Sequence, residues 1–176
     1  MDSAQLRERQ APLKQRYRND PEAARTPLSA TADFGSPGIT TTVRGWAGPV
    51  RAGLHRATGG DGADACSGDM LLEALVACTG VTLRSVATVM GLHVRACSLR
   101  ATGNFDARGT LGIDRSAPVG VTDVVIDIEA DVDADNAALE RLAVATERYC
   151  VVGQSLARPP RINIRRHPSP PQLSRP

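Results

Sequence analysis

The stretch from Met70 to Leu92, MLLEALVACTGVTLRSVATVMGL, restricts the possible folds of this chain more than any other. At helical spacing Leu71, Leu75, Cys78, Thr82, Val86 and Val89 form one stripe, and Leu72, Val76, Thr79, Leu83 and Met90 form the stripe beside it. A helix apolar over that much of its circumference is expected to be buried within a fold. Glu73, Gly80 and Arg84 interrupt it, which argues against a membrane span. The other elements must therefore cover this helix, and Cys78 lies at its middle.

What surrounds the helix reads mainly as strands. LSATADF from Leu28, ITTTVRGWA after the SPG turn at 36–38, and VRAGLHRA after the Gly-Pro at 48–49 suggest an antiparallel meander. In the third run Val50, Ala52 and Leu54 alternate with Arg51, Gly53 and His55, as in a half-buried sheet. The loop ATGGDGADACSGD follows; it has neither the lysine nor the spacing of a phosphate-binding P-loop. Ser67 reads as a helix cap, and Asp69 favours the positive end of the helix that follows.

Gly91 ends the central helix, and 92–104 and 121–132 read as two further strands. Val124, Ile126, Ile128, Ala130 and Val132 alternate there with polar partners, so one face of the second strand is wet. A second helix is expected from Asn136 to Tyr149, capped by Asp135 or Asp133. Its inward face carries Leu139, Leu142, Ala143, Thr146, Tyr149 and, at its end, Cys150. RINIRR at 161–166 reads as a last strand.

The 176 residues suit one domain with appendages: a polar arm at 1–26, a domain at 27–166, and a proline-rich basic tail at 167–176 that is expected to be disordered. Pro12 and Pro21 are expected to limit any helix in the arm to short pieces. A net charge of +2 leaves no polyanion footprint, and Trp46, Tyr17, Tyr149, Phe34 and Phe105 are too scattered to form a base-stacking platform. No nucleic-acid or membrane partner is expected. Without an apolar signal core, the chain reads as cytoplasmic, where cysteines are more often free thiols or redox groups than structural cross-links.

Zinc is not expected, since CxxC is absent and His55, His93 and His167 have no partners at ligand spacing. Cys66 in the loop and Cys97 in mid-strand read as inert thiols. Cys78 and Cys150 differ, because both lie on inward faces of the two strong helices and helices on one side of a sheet pack together. A pair of thiols can reduce a peroxide: one becomes a sulfenic acid and the second resolves it to a disulfide. From spacing alone, packed, unreactive thiols are the favoured reading.

The segment GDMLLEALVACTGVTLRSVATVMGL, together with ERYCVVGQSL at 147–156, resembles the OsmC/Ohr family over roughly residues 28–165. The resemblance implies an α+β fold with antiparallel sheets, a long buried central helix and a second helix, assembled as an intertwined homodimer with active sites at the subunit interface. It also implies reduction of organic hydroperoxides, with Cys78 as the peroxidatic nucleophile and Cys150 as the resolving thiol. No bound cofactor is implied, only a small hydrophobic peroxide and an external dithiol reductant.

The family pattern pairs the first thiol with an arginine and a glutamate. Here the glutamate position is Gly68, with Asp69 and Glu73 nearby, and the candidate arginines are Arg44, Arg16 and Arg18. The proline and histidine common after the second cysteine are Val151 and Gly153. A mid-helix thiol in apolar surroundings has a raised pKa, so Cys78 is expected to need a cation. Its own helix dipole acts only within the first turn, which Cys78 is well past. The rival to a peroxidase is a dimer that binds a small hydrophobic ligand with both cysteines merely packed. Another reaction on the same scaffold, such as thioester hydrolysis, is the third alternative. Gly80, unfavourable in mid-helix, suggests that another helix, of this chain or of the dimer mate, crosses closely there.

Overall fold

The computed structural model describes residues 1–35 and 37–166. The expectations for the tail at 167–176, including His167, and for Ser36 of the SPG turn lie outside the described residues. Two units make up the chain. One comprises Met1–Pro12, Ala74–Gly103 and the described residues from Asp123 onward, and the other Leu13–Glu73 and Asn104–Thr122.

In the second of these units the expected meander is present. Strands β1 (Thr31–Asp33), β2 (Thr40–Gly45) and β3 (Gly48–Gly53) pair antiparallel, with Val43 opposite Val50 and Gly45 opposite Gly48 across the hairpin. The two-residue strand β4 (Ala65–Cys66) joins β3 in parallel, so Cys66 belongs to a strand where a loop was expected. Little of this unit is buried: Ala52 and Ala117 are inside, whereas Leu28, Phe34, Ile39 and Trp46 are largely or fully exposed. The alternation of β3 is accordingly incomplete, because Val50 and Leu54 remain exposed.

The other unit holds the larger core. Its sheet runs β5 (Val94–Asn104), β6 (Thr122–Val132), β7 (Arg161–Arg166) in that order. Ile126, Ile128, Ala130 and Val132 of β6 are buried, as the period-two pattern requires. β7 pairs parallel to β6, with Ile126 opposite Ile162 and Ile128 opposite Ile164. The sheets are therefore mixed, not purely antiparallel. The chain crosses over through α4 (Asn136–Tyr149) and the short α5 (Val151–Gln154) before β7, and a crossover of that length permits parallel pairing. Before β6, the short α3 (Ala107–Thr110) occupies the connection.

The central helix α2 runs Ser67–Val89. Its end is a Schellman motif: Gly91 has φ +73, its N–H reaches the Thr88 carbonyl, and the Leu92 N–H reaches that of Ala87. Only one row of α2 is fully buried, Leu75, Thr79, Leu83 and Ala87, at fourfold spacing. The expectation of a helix buried all round is thus corrected within the single chain: Val81 and Val89 are 74% and 56% exposed, and Cys78 is half-buried. Length and composition alone would let α2 cross a membrane, so Glu73, Gly80 and Arg84 do not exclude a span by themselves. What argues against it is the row that packs inside a sheet-containing unit. Among the described residues of the single chain, Gly80 meets no crossing helix. A Cβ there would meet the Leu99 methyls of β5 at 3.8 and 3.9 Å, ordinary contact with a strand side chain and not with a crossing helix.

The arm departs most. Residues Ser3–Asn19 form one helix, α1, straight through Pro12, and a 3-10 turn begins at Pro21 with Asp20 as its cap. Proline removes one backbone donor, but the other turns of a 17-residue helix remain, and at Pro21 the first helical position has no partner to lose. The first turn of α1 is ordered on this chain, where Met1, Asp2, Ser3 and Gln5 help to line a cavity of about 570 Å³ with Arg84, Thr88 and His93.

Candidate active site

Cys150 occupies a break between two helices. α4 starts from Asp135, whose carboxylate accepts the Ala138 N–H at 2.6 Å, and buries Ala138, Leu139, Leu142 and Thr146. Cys150 ends it: its N–H still reaches the Thr146 carbonyl, but its ψ of 104° is extended. The same residue caps α5, because the Gly153 N–H donates to its Sγ at 3.4 Å. This double duty fixes both the backbone and the sulfur of Cys150, which is 1% exposed.

From α2, consecutive residues reach this sulfur. The Thr79 hydroxyl, fully buried, lies 3.5 Å from Cys150 Sγ, and the Cys78 thiol is close enough to that of Cys150 for each to shift the other's acidity. The structure thus brings together the two cysteines singled out in the sequence, with Thr79 and Gly153 as their neighbours.

The two thiols are driven apart in acidity. Burial pushes the Cys78 thiol up, but the Val152 N–H, the Cys150 thiol, the Thr82 hydroxyl and the Val151 N–H together bring it below its ordinary value. Burial pushes the Cys150 thiol up, and the neighbouring Cys78 adds to this beyond what Thr79 and Gly153 offset. Cys78 is therefore the thiol that ionises first, which suits a nucleophile.

The groups that lower Cys78 are backbone N–H groups and uncharged side chains, where the sequence called for a cation. Arg44 is paired with Asp33 at 2.9 Å, and Arg16 and Arg18 lie in the last turn of α1. Asp69 and Glu73 are exposed on α2. The dipole of α2 is indeed remote, but the amides that follow Cys150 supply donors from another element. Sequence reading missed Thr79, Thr82 and these amides. Two threonines on otherwise apolar stripes of α2 were the available signal, since a buried hydroxyl needs a partner.

The remaining cysteines stand apart from this chemistry. Cys97 is exposed on β5, where a packed, inert thiol was expected, although partial desolvation pushes its thiol up. Cys66 is half-buried on β4. Among the described residues no cluster of His, Cys, Asp or Glu could hold a metal ion.

Solved structures share this architecture. An OsmC-like protein of unknown function from Vibrio cholerae superposes with a TM-score of 0.66 at 14% identity, over 80% of this chain and 100% of that one. An organic hydroperoxide resistance protein OsmC from Legionella pneumophila gives 0.58 at 16% identity, over 81% and 98%. The organic hydroperoxide resistance protein OhrB of Bacillus subtilis gives 0.53 at 12%, over 81% and 98%. At such identities the likeness is one of fold. No curated protein matches the chain in sequence. The OsmC-like protein family model matches residues 60–165, which include α2, both cysteines and nearly all of β7, and the chain belongs to that family.

Proposed function

We propose that the protein is a thiol-dependent reductase of organic hydroperoxides. The observation that carries this reading is the Cys78–Cys150 contact, in which one thiol is made more acidic and its neighbour less so. The Cys78 thiolate attacks the distal peroxide oxygen, the O–O bond breaks, and the departing alkoxide takes a proton from solvent to leave as the alcohol while Cys78 becomes a sulfenic acid. Cys150 then attacks the Cys78 sulfur, its thiol proton leaves with the hydroxyl as water, and a Cys78–Cys150 disulfide remains. An external dithiol reduces that disulfide by exchange and is itself oxidised. No bound cofactor enters the cycle. Leu, Val and Met side chains of α2 surround Cys78 in sequence, and such apolar neighbours favour hydrocarbon peroxides over hydrogen peroxide.

A homodimer belongs to the same proposal. Phe34, Ile39 and Trp46 in one unit and Val81 on α2 are apolar side chains exposed on the single chain, more than a monomer usually presents to water. A second copy of the chain would cover them. A reducing, cytoplasmic setting would supply the dithiol.

The test is to treat the reduced protein with one equivalent of cumene hydroperoxide, alkylate it, and map its disulfides by mass spectrometry. A rapid Cys78–Cys150 link, absent in Cys78→Ser, supports the reading. Four thiols still open to alkylation after minutes would overturn it and leave a ligand-binding dimer.

A further inference from the structure

Thr79 has no part in the two-cysteine scheme, yet it is the fully buried polar side chain at the centre of the site. Its Oγ1 lies 3.5 Å from Cys150 Sγ, and the Gly153 N–H approaches the same sulfur at 3.4 Å. The Cys150 thiol has a single proton. With Cys78 as the thiolate, that proton is donated to Cys78, so the Thr79 hydroxyl is left to donate to Cys150. A directed chain results, from the Thr79 O–H to the Cys150 sulfur and from the Cys150 S–H to the Cys78 sulfur.

We propose that Thr79 is a positioning residue for the resolving step: its hydroxyl, with the Gly153 N–H, holds the Cys150 sulfur against Cys78 and favours loss of the Cys150 proton as the disulfide forms. This inference rests on the peroxidase reading for its role in turnover, but not for its effect on Cys150 itself. When Cys150 attacks, its S–H bond breaks and negative charge gathers on sulfur. A donor already in place stabilises that charge without rearrangement. Thr79 is on the same helix as the attacking cysteine and adjacent to it, so the two thiols share one rigid frame. The Gly153 N–H holds the sulfur from the other side, and a Cβ at that position would meet Cys150 Sγ and Pro160 Cδ at 3.4 Å.

The titratable group that acts on Cys150 from a packed element is Cys78 on α2; on its own helix Arg148 and Tyr149 are exposed. Removing Cys78 therefore isolates the effect of Thr79.

Two measurements test the inference. In the first, reduced Thr79→Val is mixed with cumene hydroperoxide and quenched over time with dimedone, which traps sulfenic acid, and the disulfide is quantified by mass spectrometry. Relative to the sulfenic acid that forms, the disulfide should appear roughly tenfold more slowly than in the parent, the size expected for a lost hydrogen bond to a developing anion, so Cys78 sulfenic acid should accumulate. Thr79→Ser, which keeps the hydroxyl, should restore the fast step. Disulfide formation at the parent rate in Thr79→Val, or equal slowing in Thr79→Ser, would overturn the assignment. In the second, Cys150 is alkylated across pH in a Cys78→Ser background, with and without Thr79→Val. An upward move of the midpoint supports Thr79 as donor, and an unchanged midpoint overturns it. A parent protein inert to peroxide would sink the peroxidase reading, and this second measurement would still decide the role of Thr79.

Discussion

Thr79 and Cys150 are 71 residues apart in sequence and 3.5 Å apart in space, and the residue beside Thr79 is the other cysteine of the site. That one contact ties the inward row of α2 to the break between α4 and α5. Sequence position and chemistry meet there: α2 brings a thiol and a hydroxyl on adjacent residues, and Cys150 presents its sulfur because its backbone has just left the helix.

The acidity difference between the thiols predicts their order of reaction. Alkylation follows the thiolate, so its rate rises with pH through each midpoint. Cys78, held below the ordinary thiol value, reaches its plateau first, while Cys150 and Cys97, both pushed up, follow at higher pH. The linkage signs are opposite as well. A depressed thiol such as Cys78 contributes stability that is present above the unfolded value and lost as pH falls through the folded one, and the raised Cys150 contributes stability that is lost as pH rises. Peptide-resolved alkylation by iodoacetamide between neutral and alkaline pH checks this. Equal midpoints for Cys78 and Cys97 would show that the amide and hydroxyl donors do not act on Cys78.

Val151→Pro tests those donors directly. The Val151 N–H is one of the groups that lower Cys78, and its side chain is mostly exposed. Proline is accepted at the first position of a helix, and Cys150, with φ −75 and ψ 104, already has the extended backbone that a following proline demands. The substitution should therefore leave the fold intact, remove one donor, and move the Cys78 midpoint upward. Thr82→Val should move it in the same direction. Unchanged reactivity in both, with Arg44→Ala strongly impaired, would return the activating role to the arginine.

Stability should be concentrated where the core is. Leu142 is fully buried in α4, and Leu142→Ala is expected to cost about 2–5 kcal/mol. Asp135→Ala, which removes the cap of the same helix, should cost about 1 kcal/mol. Urea midpoints followed by circular dichroism measure both. Since Cys150 terminates α4, Leu142→Ala should also slow disulfide formation; Asp135, at the far end of the helix, should leave it unchanged.

The legible parts of the fold were those with a strong local signal. Period-two alternation placed β6, the cap and apolar spacing placed α4, and the conformation of Gly91 placed the end of α2. Pro12 misled, because a local cost was read as a boundary although the helix continues on both sides of it. The parallel pairing of β7 depends on the crossover route and not on any residue of RINIRR. At the site, side chains carry sequence signals but backbone amides do not. Cys78 and Cys150 could therefore be named from sequence, whereas the N–H groups of Val151, Val152 and Gly153 became visible only with the turn that aims them.

Gly80 separates the single chain from an assembly. Within the chain, a methyl group at Gly80 has room, with the Leu99 methyls at 3.8 and 3.9 Å. Alanine is favoured over glycine in a helix interior by roughly 0.8–1 kcal/mol, so Gly80→Ala should stabilise the folded chain by about that amount. If the helix of a second copy crossed at this glycine, the same methyl would push the two backbones apart, and the dimer would weaken. Thermal unfolding and sedimentation of Gly80→Ala read the two effects separately. A higher melting temperature with unchanged mass is the expected outcome and rules out a helix crossing at Gly80. A lower mass at the same concentration would put the crossing at Gly80, beside Cys78, and make the second copy part of the active-site wall.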